Sequence, residues 1–345
     1  MNKLLLEINE QPEVLKRLLD LEYGHVQSIA REILGRRIRH VLIAARGSSD
    51  NAALYAKYVL GIRNRLPVAL AAPSMFTVYG APPRLQDTMV LAISQSGMSP
   101  DIAAVVAEAR KQGMLTMAIT NSPDSSLCRV AERLVFCRAG EEKSVAATKT
   151  YTAELLAVAM LSVALRDDED GLEELLSLPE AVRNTLGLDA QIESAVERYR
   201  YMSDCAVIAR GFNYATAFEL ALKLKELTYV SANPYSSADF MHGPIAVVAS
   251  GYPVFLVAPS GQVLTEMIAL AKELLARQAE LVIISDRDDI LGFAETPLRL
   301  PVTLPEWLSP IVAILPGQLF AYRLALAKRL DPENPRGLQK ITQTR

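Results

Sequence analysis

A chain of 345 residues, half of them hydrophobic, can bury two ordinary cores. Its formal charge of −3 leaves no basic footprint for nucleic acid or an anionic membrane, so an anionic ligand must be held by local groups. Cys128, Cys137 and Cys205 lack C-x-x-C spacing and the histidines number only three, His25, His40 and His242, which argues against disulfides and a histidine-built metal centre. The longest apolar run, 155–165, falls short of the ~18 residues of a membrane span, so a cytoplasmic protein with no nucleic-acid or membrane partner is expected.

In chain order the pattern predicts a helix over 10–34, a strand over 40–45, a helix over 51–60, strands over 67–71 and 88–93, a helix over 101–112, a strand over 115–120 and a long helix over 148–165. The acidic stretch 167–171 reads as a linker, and a helical bridge follows. A second series starts near 191, with strands over 205–209, 254–257 and 281–285 and helices over 214–229, 263–277 and 310–328. Strands alternating with such helices predict an α/β fold of two tandem doubly wound parallel-sheet domains. The expected division is 1–170, a helical linker over 171–190, and 191–345 ending in a tail or lid.

The two series are a repeat. Ala45-Arg46-Gly47-Ser48-Ser49 recurs as Ala209-Arg210-Gly211-Phe212-Asn213, and Ile93-Ser94-Gln95-Ser96-Gly97 recurs as Val257-Ala258-Pro259-Ser260-Gly261. The offsets agree, 211 − 47 = 164 and 261 − 97 = 164. Two glycine pairs in register, each after a β-type run, imply an internal duplication, and function is sought where strands end and helices begin.

One such place is Ser94-Gln95-Ser96-Gly97-Met98-Ser99-Pro100-Asp101. Three hydroxyls and an amide crowd a turn followed by a helix N-terminus, which is how a protein holds phosphate without much net charge. Ser99 or Asp101 could simply cap that helix, but capping does not account for Ser-Gln-Ser. Arg46-Gly47-Ser48-Ser49-Asp50 has the same strand-end position, with Ser49 or Asp50 as a possible N-cap.

In the helix over 214–229, Glu219, Lys223 and Glu226 form a stripe at i, i+4 and i+7. Periodicity alone favours a solvated face carrying an ion pair worth a few tenths of a kcal/mol. Downstream, His242-Gly243-Pro244 places an imidazole in a loop, either incidental or a general acid/base. The ending Asp331-Pro332-Glu333-Asn334-Pro335-Arg336-Gly337-Leu338-Gln339-Lys340 has the composition of a loose tail.

Taken together, Ser94-Gln95-Ser96-Gly97, Ala221-Leu222-Lys223-Leu224-Lys225-Glu226, His242-Gly243-Pro244 and Pro335-Arg336-Gly337-Leu338-Gln339-Lys340 resemble the tandem sugar-isomerase (SIS) family, in particular the isomerase half of glucosamine-6-phosphate synthase. The opening Glu7-Ile8-Asn9-Glu10-Gln11-Pro12 is similar to the start of that half. The resemblance implies a flavodoxin-like fold and a loop of Ser94, Gln95, Ser96 and Ser99 that holds the sugar phosphate with help from Gly47 and Ser49. It further implies Glu226 as the base moving a proton between C1 and C2, Lys223 polarising nearby oxygens, and His242 opening the sugar ring. Lys340 would form a Schiff base with the keto sugar, and Glu142 would lie near the substrate amine. No cofactor or metal is implied, and the histidine's role in the family implies a homodimer with a shared active site.

The chain departs from the synthase pattern at Met98, at Ser99-Pro100-Asp101, at Arg46 where the synthase has a smaller residue, and at Ala147 where it has serine. A Ser-Pro-Asp ending resembles the stand-alone amino-sugar deaminases. With no glutaminase region ahead of the isomerase-like start, the expected activity is an isomerising deaminase releasing fructose 6-phosphate and ammonia from glucosamine 6-phosphate. The alternatives are a fructosamine-6-phosphate deglycase, an aminotransferase/isomerase without its glutaminase, and a sugar-phosphate sensor.

Overall fold

Both predicted series of strands become parallel sheets of one strand order. The computed structural model describes residues 2–340. The first sheet contains β1 (His40–Ala44), β2 (Val68–Leu70), β3 (Thr88–Ser94), β4 (Thr116–Thr120) and β5 (Arg133–Phe136), ordered β2-β1-β3-β4-β5. The second contains β6 (Asp204–Ala209), β7 (Ser231–Ser236), β8 (Pro253–Val257), β9 (Glu280–Ser285) and β10 (Thr296–Arg299), ordered β7-β6-β8-β9-β10. Duplication in sequence is thus duplication in topology, in the flavodoxin-like order whose switch point lies between the first and third strands.

The chain divides into two compact units. Among the described residues the first-sheet unit comprises 13–142, 149–177 and 339–340; the second-sheet unit comprises 2–12, 143–148 and 178–338. Every residue of β3 and β4 is buried, because helices cover both sheet faces, and this explains their unbroken apolar runs. In the first unit Ile102, Val105, Val106 and Ala109 of the helix Pro100–Lys111 join the core with Val90, Ala92 and Ala118. In the second, Met267, Leu270, Ala271 and Leu274 of the helix Leu264–Ala276 join it with Val254, Leu256, Leu281 and Ile283. The same i, i+3, i+4, i+7 spacing supplies both cores.

Several expectations need correcting. The helix expected over 10–34 is found as Gln11–Gly35, but a further helix, Lys3–Asn9, precedes it and was missed. Sequence reading missed β5, β7 and β10; β7 and β10 carry Pro234 and Pro297, which edge strands tolerate because one side of their backbone has no ladder to feed. The acidic linker shrinks to a turn, because Glu169 and Asp170 begin the helix Glu169–Leu186, where acidic side chains favour the N-terminus. Helix Ser309–Ala327, rather than the shorter run chosen from sequence, has the length and apolarity to cross a membrane, but 83% of its apolar window is buried inside the protein.

Candidate active site

At the C-terminal end of β3 the chain turns through Ser94–Ser99 into the helix Pro100–Lys111. Ser94 Oγ accepts from Gly97 N at 3.1 Å and Ser96 Oγ accepts from Met98 N at 3.3 Å, which fixes both hydroxyls while leaving each O–H free to donate. From behind, Asn121 N holds the Gln95 carbonyl at 3.1 Å, and Leu127 N and Ser126 Oγ hold the Gly97 carbonyl at 3.1 and 3.0 Å. The Gln95 and Gly97 carbonyls are therefore satisfied from behind, and the serine O–H groups are left to donate on the other side. Gly97 sits at φ +61°, and a Cβ there would lie 2.3 Å from Ser125 Oγ, so only glycine fits the bend. Ser99 occupies the N-cap position but its side chain makes no capping bond, and Asp101, inside the helix, accepts from the adjacent Ile102 N at 2.9 Å.

The neighbouring strand end is different from what its serines suggest. Gly47, at φ +58°, is the N-cap of the helix Ser48–Arg63, so Ser49 and Asp50 lie inside the helix. Ser49 is buried and donates to Glu154 Oε1 at 2.8 Å. Glu154 itself was missed; its signal was a single acid in the fully buried, apolar stretch of the helix Lys149–Arg166. Within the same unit Glu142, 4% exposed, receives Thr150 Oγ1 at 2.7 Å, Thr150 N at 3.2 Å and Lys340 Nζ at 2.8 Å. The structure thus joins two residues 198 apart that the sequence singled out separately.

In the second-sheet unit the charged stripe lies on the helix Tyr214–Thr228. It is not a solvated face: Lys223 and Glu219 are both 0% exposed. Lys223 Nζ lies 2.6 Å from Glu226 Oε2 and 3.4 Å from Glu219 Oε1, and Glu226 alone retains some exposure. Burying Glu219 and Lys223 costs several kcal/mol each before their attraction offsets it, and apolar residues of equal volume would stabilise the helix as well or better. Stability alone therefore gives no reason to keep the cluster.

His242 ends the short helix Ser237–Met241 and is exposed. The tail is tied rather than loose. Asp331 accepts from Glu333 N and Asn334 Nδ2, Arg336 N donates to Tyr229 Oη at 2.7 Å, and the Arg336 guanidinium stacks 4.4 Å from the Tyr229 ring centroid. Tyr229 can serve this way because it ends its helix at φ +58°, a position sequence reading did not single out.

The second-sheet counterpart of the serine loop is closed by its own chain. Asp286 accepts from Ser260 N and Ser260 Oγ, both at 2.7 Å, and Glu306 accepts from Gln262 N at 2.7 Å. A Cβ on Gly261 would lie 2.3 Å from Glu306 Cδ. Carboxylates occupy the donors that an external anion would need.

Two duplicated sheets with a hydroxyl loop at one switch point define the class. Residues 36–164 and 204–328 each match the SIS domain, and the chain belongs to the SIS family. It is 35% identical over 348 residues to a glutamine–fructose-6-phosphate aminotransferase (isomerizing) of Thermococcus kodakarensis, an alignment covering 98% of this chain and 57% of that protein. The chain thus spans somewhat over half the length of the curated relatives it matches. It is also similar to the C-terminal domain of glucosamine-fructose-6-phosphate aminotransferase from Francisella tularensis, with TM-score 0.88 and 28% identity over 97% of this chain and 98% of that one. A likeness of fold alone extends to glucosamine-6-phosphate deaminase from Thermotoga maritima, with TM-score 0.81 and 21% identity over 99% of this chain and 100% of that one.

Proposed function

We propose that the chain is a sugar-phosphate isomerase that works as an isomerising deaminase, converting glucosamine 6-phosphate and water to fructose 6-phosphate and ammonia. The observation that carries this is the fully buried Lys223 paired with the part-exposed Glu226. A binding protein has no use for that arrangement, whereas a carboxylate held by an ammonium and still reachable can accept and return a proton.

The roles follow from the groups. Ser94, Gln95, Ser96 and Ser99 hold the phosphate, with Gly47 giving the adjacent turn its shape; Ser49 supports that turn through Glu154. His242, supplied across a homodimer, transfers the proton that opens the ring. Glu226 removes the C2 proton of the open aldehyde and delivers one to C1, so the amine-bearing carbon becomes an imine, while Lys223 steadies the oxygen that gains charge. Lys340, beside a carboxylate able to take its proton, displaces ammonia at C2 as a Schiff base that water then hydrolyses to the ketose. Similarity to the aminotransferase isomerase region supports the C1–C2 chemistry, and the Ser99-Pro100-Asp101 ending supports the deaminating direction.

A coupled assay for ammonia and fructose 6-phosphate tests this on a panel of phosphorylated amino sugars. Stoichiometric release of both from glucosamine 6-phosphate is expected. Release of an amino acid from a fructosamine 6-phosphate, with no ammonia from the amino sugar, would replace the deaminase with a deglycase.

A further inference from the structure

The serine loop contains no lysine or arginine between Ser94 and Asp101, so its own groups offer a phosphate only hydroxyls, an amide and backbone dipoles. A full positive charge nonetheless stands beside it. Arg46, just beyond the end of β1, sends Nε and Nη2 to Asp101 Oδ2, each at 2.9 Å. Asp101 is the second residue of the helix that closes the loop, and its side chain is 1% exposed. The guanidinium therefore lies over the N-terminal turn of that helix, where the macrodipole disfavours a cation. Asp101 compensates while no ligand is bound. Of the five N–H groups of Arg46 two are committed, and the side chain stays 50% exposed. Among the described residues its guanidinium hydrogen-bonds to Asp101 alone, while the Asp50 carboxyl is near enough to feel its charge.

The same device recurs where no ligand can enter. Arg210, 164 residues on, pairs with Glu266 at 2.7 Å in the first turn of the helix Leu264–Ala276, but the loop it borders is filled by Asp286 and Glu306. The duplication thus supplies an internal control. If strapping a strand end to a helix were the whole purpose of such a pair, the acid would not need to be buried; Glu266 is 45% exposed, against 1% for Asp101.

We propose that Arg46 completes the phosphate cradle, donating its uncommitted N–H groups to the phosphate dianion and setting the site's preference for phosphorylated over free sugars. This rests on the assignment of the serine loop as the phosphate site. A planar guanidinium suits a phosphate's paired oxygens, and Asp101 holds it in place so that little side-chain entropy is lost on binding.

Titration calorimetry with inorganic phosphate and with glucosamine 6-phosphate tests it. Because Arg46→Ala leaves Asp101 as a buried unpaired charge and risks misfolding, the variant of choice is Arg46→Gln with Asp101→Asn, a neutral polar pair that leaves no buried charge. That protein should bind both ligands about tenfold to a hundredfold more weakly. Arg210→Gln with Glu266→Gln should bind them like the parent. Parent-like affinity in the Arg46 variant, together with a loss in Ser96→Ala, would overturn the role of Arg46 alone. Equal loss in the Arg210 variant would reduce both pairs to structural straps, and no phosphate binding by the parent protein would overturn the cradle as well.

Discussion

The two sheets share a strand order and differ at two places that the 164-residue offset makes comparable. After β3 the loop keeps its hydroxyl donors available, whereas after β8 Asp286 and Glu306 consume the matching groups. On the helix after β1 the residues Tyr55, Val59 and Ile62 stand where the helix after β6 has Glu219, Lys223 and Glu226. The first half therefore keeps hydroxyl donors at its loop and the second keeps charges on its helix, where the first has the fully buried Tyr55 and Val59 and the half-exposed Ile62. What folding requires should appear in both halves; a charge buried in only one calls for a functional account.

The contrast is most open to attack at the two loop glycines. Gly97→Ala forces a side chain into a left-handed bend against the Ser125 hydroxyl and should cost about 3 kcal/mol of stability and most phosphate binding. Gly261→Ala meets only the movable end of Glu306, with no positive φ to overcome, and should cost less and leave phosphate binding intact. Denaturant melts of the two variants, read beside calorimetry, decide the matter; equal effects would erase the distinction between the loops.

The helix stripe comes next. Glu226→Gln should lower kcat about a hundredfold or more with nearly unchanged substrate binding. Neutralising the whole cluster with Glu219→Leu, Lys223→Met and Glu226→Gln should abolish turnover while leaving the protein as stable, or more stable by about 1–4 kcal/mol. A destabilised but active triple variant would make the stripe scaffold after all. At the smallest scale, Glu306→Ala frees the Gln262 amide just ahead of the helix Leu264–Ala276 and should cost about 1–2 kcal/mol by thermal melt, without altering sugar-phosphate affinity. A change in that affinity would tie the second loop to ligand binding.

Much of this was legible in the sequence because it rests on period and spacing. The buried strands are apolar runs, and the helices beside them repeat the same four-residue core stripe in both units. What escaped depends on partners distant in sequence. Nothing in Arg133–Phe136 or Thr296–Arg299 distinguishes an edge strand from a loop until β4 and β9 are there to pair with. Ser49 looks like a helix cap until Gly47 takes the cap and Glu154, 105 residues away, takes its hydroxyl. Lys223 reads as one end of a surface ion pair because i,i+4 spacing is the same on a buried face as on a wet one, and only its zero exposure separates the two. The serine loop was legible as a strand-to-helix turn since its residues are contiguous; Arg46 was noticed, but its pairing with Asp101 spans two strands.

The division of labour between the halves is tested most directly by counting sites. Titration of the intact protein with glucosamine 6-phosphate should give one binding event per chain, weakened by about 1.5–3 kcal/mol in Ser96→Ala and unchanged in Ser260→Ala. Two events per chain, or binding that survives Ser96→Ala and is lost in Ser260→Ala, would contradict the assignment of the first loop as the anion site and the second as its closed copy.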